Sequence, residues 1–131
     1  MAPFKVLDDG DILRIVVSGP ISTHHILNFI RHSYPKHPRE NVLWDLSDAQ
    51  PDSPAVDELK RLAESNLAVF RELRPVGRTA FVASNPSVFA LVCVFSTICM
   101  VQDSPIEHAI FSTRVEAEAW LKVIAPPVAK R

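Results

Sequence analysis

The chain has 131 residues, 47% hydrophobic and 22% charged, with eleven prolines against three glycines; at this size a single core forms without help from disulfides or a metal. Fourteen Lys and Arg against fifteen Asp and Glu leave a net charge of −1 with no basic cluster, which excludes the electrostatic footprint of a general nucleic-acid binder. Gly10, Gly19 and Gly77 stand alone, so neither a dinucleotide G-x-G-x-x-G nor a phosphate-cradling loop can be built.

Phe4–Leu7 and Ile12–Ser18 are short β-rich runs on either side of Asp8-Asp9-Gly10-Asp11, whose Asp-Gly pair predicts a hairpin turn. Gly19-Pro20 is expected to stop the second strand. Ser22 or Thr23 then caps a helix in which Ile26, Leu27, Ile30 and Tyr34 recur at helical spacing, and Pro35 ends it. Asn41–Leu46 is apolar on both faces, as an internal strand is, and a loop is expected over Ser47–Asp52. Ser53-Pro54 reads as an N-cap and a proline at the first helical position, with Asp57 and Glu58 at the positive end of the dipole. Val56, Leu59, Leu62, Ala63, Leu67, Phe70 and Leu73 form the apolar stripe of that helix, broken only by Asn66.

Arg78–Ala83 predicts a fourth strand, and Ser84 or Asn85 a cap for the uncharged Val88–Val101 segment. Glu107–Phe111 predicts a fifth strand. Thr113 and Glu116 form a capping box opening a last helix, with Ala117, Trp120, Leu121 and Ile124 inward. The order ββαβαβαβα predicts an α/β fold, a mixed five-stranded sheet with an N-terminal β-hairpin and about four helices. One domain is expected over residues 1–125, with a short tail over 126–131. Right-handed crossovers would set the strand-to-helix loops along one sheet edge.

No charged residue lies between Arg78 and Asp103. The continuous apolar part, Val88–Val101, is too short to span a bilayer and predicts a buried core helix. Its apolar residues surround the whole circumference, whereas a helix lying on a sheet needs only about a third of it. A cover is therefore expected over its outer face. A second copy of the chain or a bound apolar molecule would engage Phe89, Val92, Phe95 and Cys99, and the third alternative is cover by the chain's own neighbours, including the hairpin. Cys93 and Cys99 would lie about 9 Å apart along a helix on different faces, so they cannot bridge each other. Free thiols suit a reducing cytoplasm, and Met1–Lys5 lacks the apolar run of a signal peptide.

Asp45 ends an internal strand, the place where receiver domains accept phosphate. The acidic pair and the lysine that such chemistry requires are missing, so Asp45 is read as bonding loop amides. His24 and His32 on the first helix would be about 12 Å apart, too far to share a metal ion, and the histidines are read as facing solvent. No metal or other cofactor is expected. A Ser84–His108–Asp45 triad can be drawn but lacks a G-x-S-x-G elbow.

Three local patterns carry a resemblance: Val42-Leu43-Trp44-Asp45-Leu46-Ser47 with Asp52-Ser53, Arg78–Ala83 with Pro86–Phe89, and Phe111-Ser112-Thr113 leading to Glu116-Ala117-Glu118-Ala119-Trp120-Leu121. With the element order they resemble the SpoIIAA-like family, relatives of the STAS domains of bacterial anti-sigma factor antagonists. The resemblance implies a bacterial, non-catalytic regulatory domain acting by protein–protein contact, with a homodimer expected from the apolar helix. It also implies Ser53 as phospho-acceptor, although Pro54-Ala55 stands where regulatory STAS domains have a small residue and glycine; read from the residues alone, Ser53 is a helix cap. Asp45, Ser47, Asp52, Ser84 and Asn85 would form a binding edge at the strand ends. Kinship of the fold with lipid-binding CRAL-TRIO domains adds a lipid-like ligand as the alternative. A small enzyme using the edge near Asp45 and Ser84 is the second alternative.

Overall fold

The computed structural model describes residues 4–9, 11–36, 41–52, 55–73, 77–102, 104 and 106–122. The two strands of the expected hairpin form and pair, but Asp8 and Asp9, expected in the turn, extend the first strand, and Gly10 lies outside the described residues. Strand β1 (Phe4–Asp9) pairs antiparallel with β2 (Ile12–Ile21), Asp9 opposite Ile12. Then β3 (Asn41–Pro51), β4 (Gly77–Val82) and β5 (Ile106–Phe111) join in parallel, so the sheet order is β1-β2-β3-β4-β5.

This sequential order decides where the helices lie. The three β-α-β crossovers step the same way across the sheet, and because such crossovers share one hand, α1 (Thr23–Ser33), α2 (Val56–Leu73) and α3 (Pro86–Val101) all fall on one face. Helix α4 (Arg114–Lys122) follows the last strand, needs no crossover, and covers the other face. The alternation of side chains along the strands divides the core accordingly. Leu13, Ile15, Val17, Val42, Trp44 and Phe81 meet α1 and α3, whereas Ile12, Leu43, Ala80 and Val82 meet Ala117 and Leu121 of α4.

Two expected stops are overrun. Strand β2 continues through Gly19 and Pro20, and β3 continues from Ser47 to Pro51, so the expected loop over Ser47–Asp52 is mostly strand. The two extensions pair with each other, Gly19 with Ala49 and Ile21 with Pro51, and Asp52 N–H donates to Ile21 O at 3.0 Å. Among the described residues β1 pairs with β2 no further than Val17, and Pro20 is paired with Gln50 of β3, an arrangement in which its missing N–H is tolerated. Gly19 has a φ of +74°, a conformation that other residues adopt only with strain.

A β-bulge separates the pairs Val16–Asp45 and Ser18–Asp48, so two β3 residues stand against one of β2. Ser47 N–H donates to Asp45 Oδ1 at 3.1 Å, giving the bulge a local partner. The inserted residue shifts the alternation, so that Leu46 before it and Ala49 and Pro51 after it face the same helices.

Helix caps follow their motifs. His25 N–H donates to Ser22 Oγ and Ser22 N–H donates to His25 Nδ1, both at 3.2 Å, a capping box with histidine in the glutamate's place. Asn85 caps α3 by accepting Ser87 N–H at 2.8 Å. Thr113 Oγ1 accepts Glu116 N–H at 3.3 Å and donates its own proton to the Glu116 carboxylate at 3.0 Å. Val56, placed in the apolar stripe by periodicity, is exposed in the first turn of α2. Arg78 donates to Trp120 O at 3.1 Å, lies over the Trp120 ring and pairs with Glu107, which places a cation at the negative end of α4. Arg14 pairs with Glu118 from the sheet side.

Candidate functional site: an apolar cavity and an uncharged helix face

Helix α2 makes its main contacts with α1 and α3 rather than with the sheet. Beneath it lies a cavity of about 100 Å³. The floor is β3 and β4, with Trp44, Leu46, Ala49, Thr79 and Phe81; α1 contributes Ile26 and Ile30, α2 Leu59, Leu62 and Asn66, and α3 Val88, Leu91, Val92 and Phe95. The cavity reaches the C-terminal sheet edge at Ser22, Thr23, Pro51 and Asp52.

The wall is almost wholly apolar, and its few polar groups are held in place. Trp44 Nε1–H donates to Tyr34 Oη at 3.2 Å, both side chains being buried. His108 packs against the rings of Phe81 and Phe95, with centroids 5.7 and 6.5 Å away. Thr79 and His108 have further partners of their own. Asn66 differs: it is 3% exposed and its Oδ1 accepts no hydrogen bond among the described residues. A buried acceptor left unpaired costs about 1–3 kcal/mol. Tyr34→Phe is expected to destabilise the fold by about 1–2 kcal/mol by orphaning Trp44 Nε1. Urea unfolding followed by Trp fluorescence checks this.

The second surface is the outer side of α3. Val88, Val92 and Cys99 turn inward, while Phe89, Ala90, Val94, Thr97, Met100 and Val101 form an exposed stripe at helical spacing. Val94 is 43% exposed, Met100 74% and Val101 81%, and no charged residue interrupts the helix. Among the described residues the outer face of α3 is therefore left open.

The expected apolar residues are thus divided. Val92 and Phe95 line the cavity, Phe89 lies on the exposed stripe, and Cys99 is buried at 2% exposure in neither. Burial pushes the Cys99 thiol up from 9.0 to about 11. An unfolded chain ionises this thiol near 9 while the folded chain holds the proton, so stability is present below pH 9 and is lost as pH rises toward 11. Thermal unfolding across that window should show the decline, and Cys99→Val should flatten it.

The strand-end residues do not converge. Asp45 shares a sheet face with Leu43 and α4, Ser47 is exposed at the bulge, and Ser84 and Asn85 are exposed ahead of α3. Of these five, Asp52 alone lines the cavity. The drawn triad cannot assemble, because His108 lies on the α1–α3 face and Asp45 on the opposite one. His24, His25 and His32 are exposed as expected, whereas His108 is half-buried against two rings because the alternation of side chains along the edge strand β5 turns it toward α3. Ser53 and His37 lie outside the described residues. Among the described residues no three His, Cys, Asp or Glu side chains gather as a metal site, and no helix is long and apolar enough to cross a membrane.

A parallel sheet in sequence order behind an antiparallel hairpin, with three helices on one face and one on the other, defines an α/β domain of the SpoIIAA-like fold. Solved structures share it. An anti-sigma factor antagonist from Mycobacterium paratuberculosis matches with a TM-score of 0.61 at 18% identity, covering 92% of this chain and 93% of that one. An uncharacterized protein of the DUF3478 family with a SpoIIAA-like fold, from Shewanella loihica, matches with a TM-score of 0.52 at 13% identity, covering 90% and 91%. No protein-family model matches the sequence, and no curated protein matches it.

Proposed function

We propose that this chain is a non-catalytic regulatory domain of the bacterial cytoplasm that acts by protein–protein contact and pairs as a homodimer through the outer face of α3. One observation carries the reading: the stripe Phe89, Val94, Met100 and Val101 is apolar, exposed and free of charge over the length of a sixteen-residue helix. Contiguous apolar surface of this kind marks a contact site. A two-fold axis sets each patch against itself, and an uncharged patch meets its own copy without like-charge repulsion. The likeness of fold to an anti-sigma factor antagonist supports a regulatory role by contact, and free thiols suit a reducing compartment.

Sedimentation velocity over a range of micromolar concentrations tests the reading. The expected result is a concentration-dependent shift from the 14.6 kDa chain toward twice that mass. A single monomer species at every concentration would sink the homodimer.

A further inference from the structure

The cavity beneath α2 stands apart from the α3 contact, and its wall and its rim differ in a way that selects an occupant. An apolar cavity of about 150 Å³ takes up benzene or xenon, so one of about 100 Å³ holds an alkyl end of about four to five carbons. The wall offers that end no polar partner. Trp44 Nε1–H is engaged with Tyr34 Oη, Thr79 and His108 have partners of their own, and Asn66 Oδ1 is fully covered and does not open onto the space. A polar atom carried inside would lose its water without gaining a bond, so the buried part of a ligand is hydrocarbon and its head stays at the rim. The rim is acidic. Asp52 is exposed there, and among the described residues it is the one Asp, Glu, Lys or Arg that lines the cavity. Thr23, which also lines the opening, donates from Oγ1 to Glu58 Oε2 at 3.2 Å and so sets a second carboxylate at the same rim. The N-termini of α1 and α2 meet here as well, but His25 N–H is held by Ser22 Oγ and Ala55 N–H by Glu58 Oε1, so those donors are taken. We infer that the cavity binds an n-alkylammonium ion, with a chain of about five carbons beneath α2 and the ammonium group at Asp52 and Glu58.

Titration of the ¹⁵N-labelled chain with ethyl-, propyl-, butyl- and pentylammonium, and with pentanoate as the anionic counterpart, separates the contribution of the wall from that of the rim. The titrations are run at low ionic strength and about pH 8, where an alkylamine is protonated and a free imidazole is neutral. Saturable amide shifts are expected around Ala49, Thr79 and Val92, which border the cavity, and not at Met100 and Val101 on the outer stripe of α3. Affinity should rise roughly three- to fourfold with each carbon from ethyl- to pentylammonium, the effect of burying one methylene, and level off with longer chains. Pentylammonium should bind roughly tenfold tighter than pentanoate, because the same two carboxylates attract one and repel the other, and added salt should narrow that gap. Asp52→Asn, at an exposed site, should reduce the gap to roughly threefold. Ala49→Leu, which fills the cavity from its floor, should abolish the saturable shifts. Pentanoate binding as tightly as pentylammonium, affinity indifferent to chain length, or shifts that never saturate would each overturn the inference. The comparisons on the unsubstituted chain stand whether or not Ala49→Leu folds.

Discussion

Val94→Asp should turn the protein into a monomer at concentrations where the parent chain pairs. Val94 is 43% exposed on the outer stripe of α3, so in the isolated chain the substitution removes little packing and should change stability by about 0.5 kcal/mol or less. In the pair the cost is larger. A two-fold contact brings two new carboxylates into an apolar interface, where each loses its water and neither finds a cation. A loss of about 3 kcal/mol, a weakening of more than a hundredfold, is expected in the dimer Kd. Val115→Asp is the control, because Val115 is 75% exposed on α4, on the opposite face of the sheet, and should leave pairing unchanged. If both variants pair like the parent, α3 is not the interface. Unfolding curves on the same samples separate lost pairing from lost fold.

The second large effect is expected from Leu43→Ala. Leu43 is fully buried on β3, an internal strand, and belongs to the smaller of the two core clusters, with Ile12, Ala80, Val82, Ala117 and Leu121. That cluster is where the nine-residue α4 meets the sheet. Truncation leaves a cavity that a rigid parallel sheet cannot close, so a loss of about 3 kcal/mol and a fall in Tm of roughly 10 °C are expected. Hydrogen exchange would locate the damage. Amides of α4 should lose protection before those of α1, because Arg14–Glu118 and Arg78–Trp120 hold α4 only at its surface. Equal loss of protection across the whole chain would show that the two clusters unfold as one unit.

The fold was legible because its signals are local. Asp-Gly marks the hairpin, Ser22, Asn85 and Thr113 mark helix starts, and the shift from strand runs to helical spacing orders the elements. Local signals failed where a partner strand outweighed them. Gly19-Pro20 reads as a stop, yet the ladder between β2 and β3 continues past it because the pairing partner is more than twenty-five residues away and invisible to a short window. Val56 fits the stripe by period but sits in the first turn of α2, where it is exposed.

The candidate site was legible only in part. An uncharged helix with apolar residues on every side announces an uncovered face, and among the described residues that face is left open. The cavity could not be read, since it depends on α2 spanning α1 and α3 above the sheet, and on a bulge that turns Ala49 and Pro51 inward. Asn66 was visible as the one break in its stripe, but an isolated polar residue in an apolar stripe does not disclose whether its side chain finds a partner.

Sequence alone therefore determined the element order, the caps, the two-sided burial of β3 and the charge-free surface of α3, because each depends on residue type and spacing along a few turns. Tertiary structure decided which face each helix covers, the alignment that carries β2 and β3 past their expected ends, the separation of Asp45 from His108, and the burial of Asn66 beside an apolar void. Those outcomes arise from contacts between segments remote in sequence, where handedness, register and packing select one arrangement among many that the same local preferences would allow.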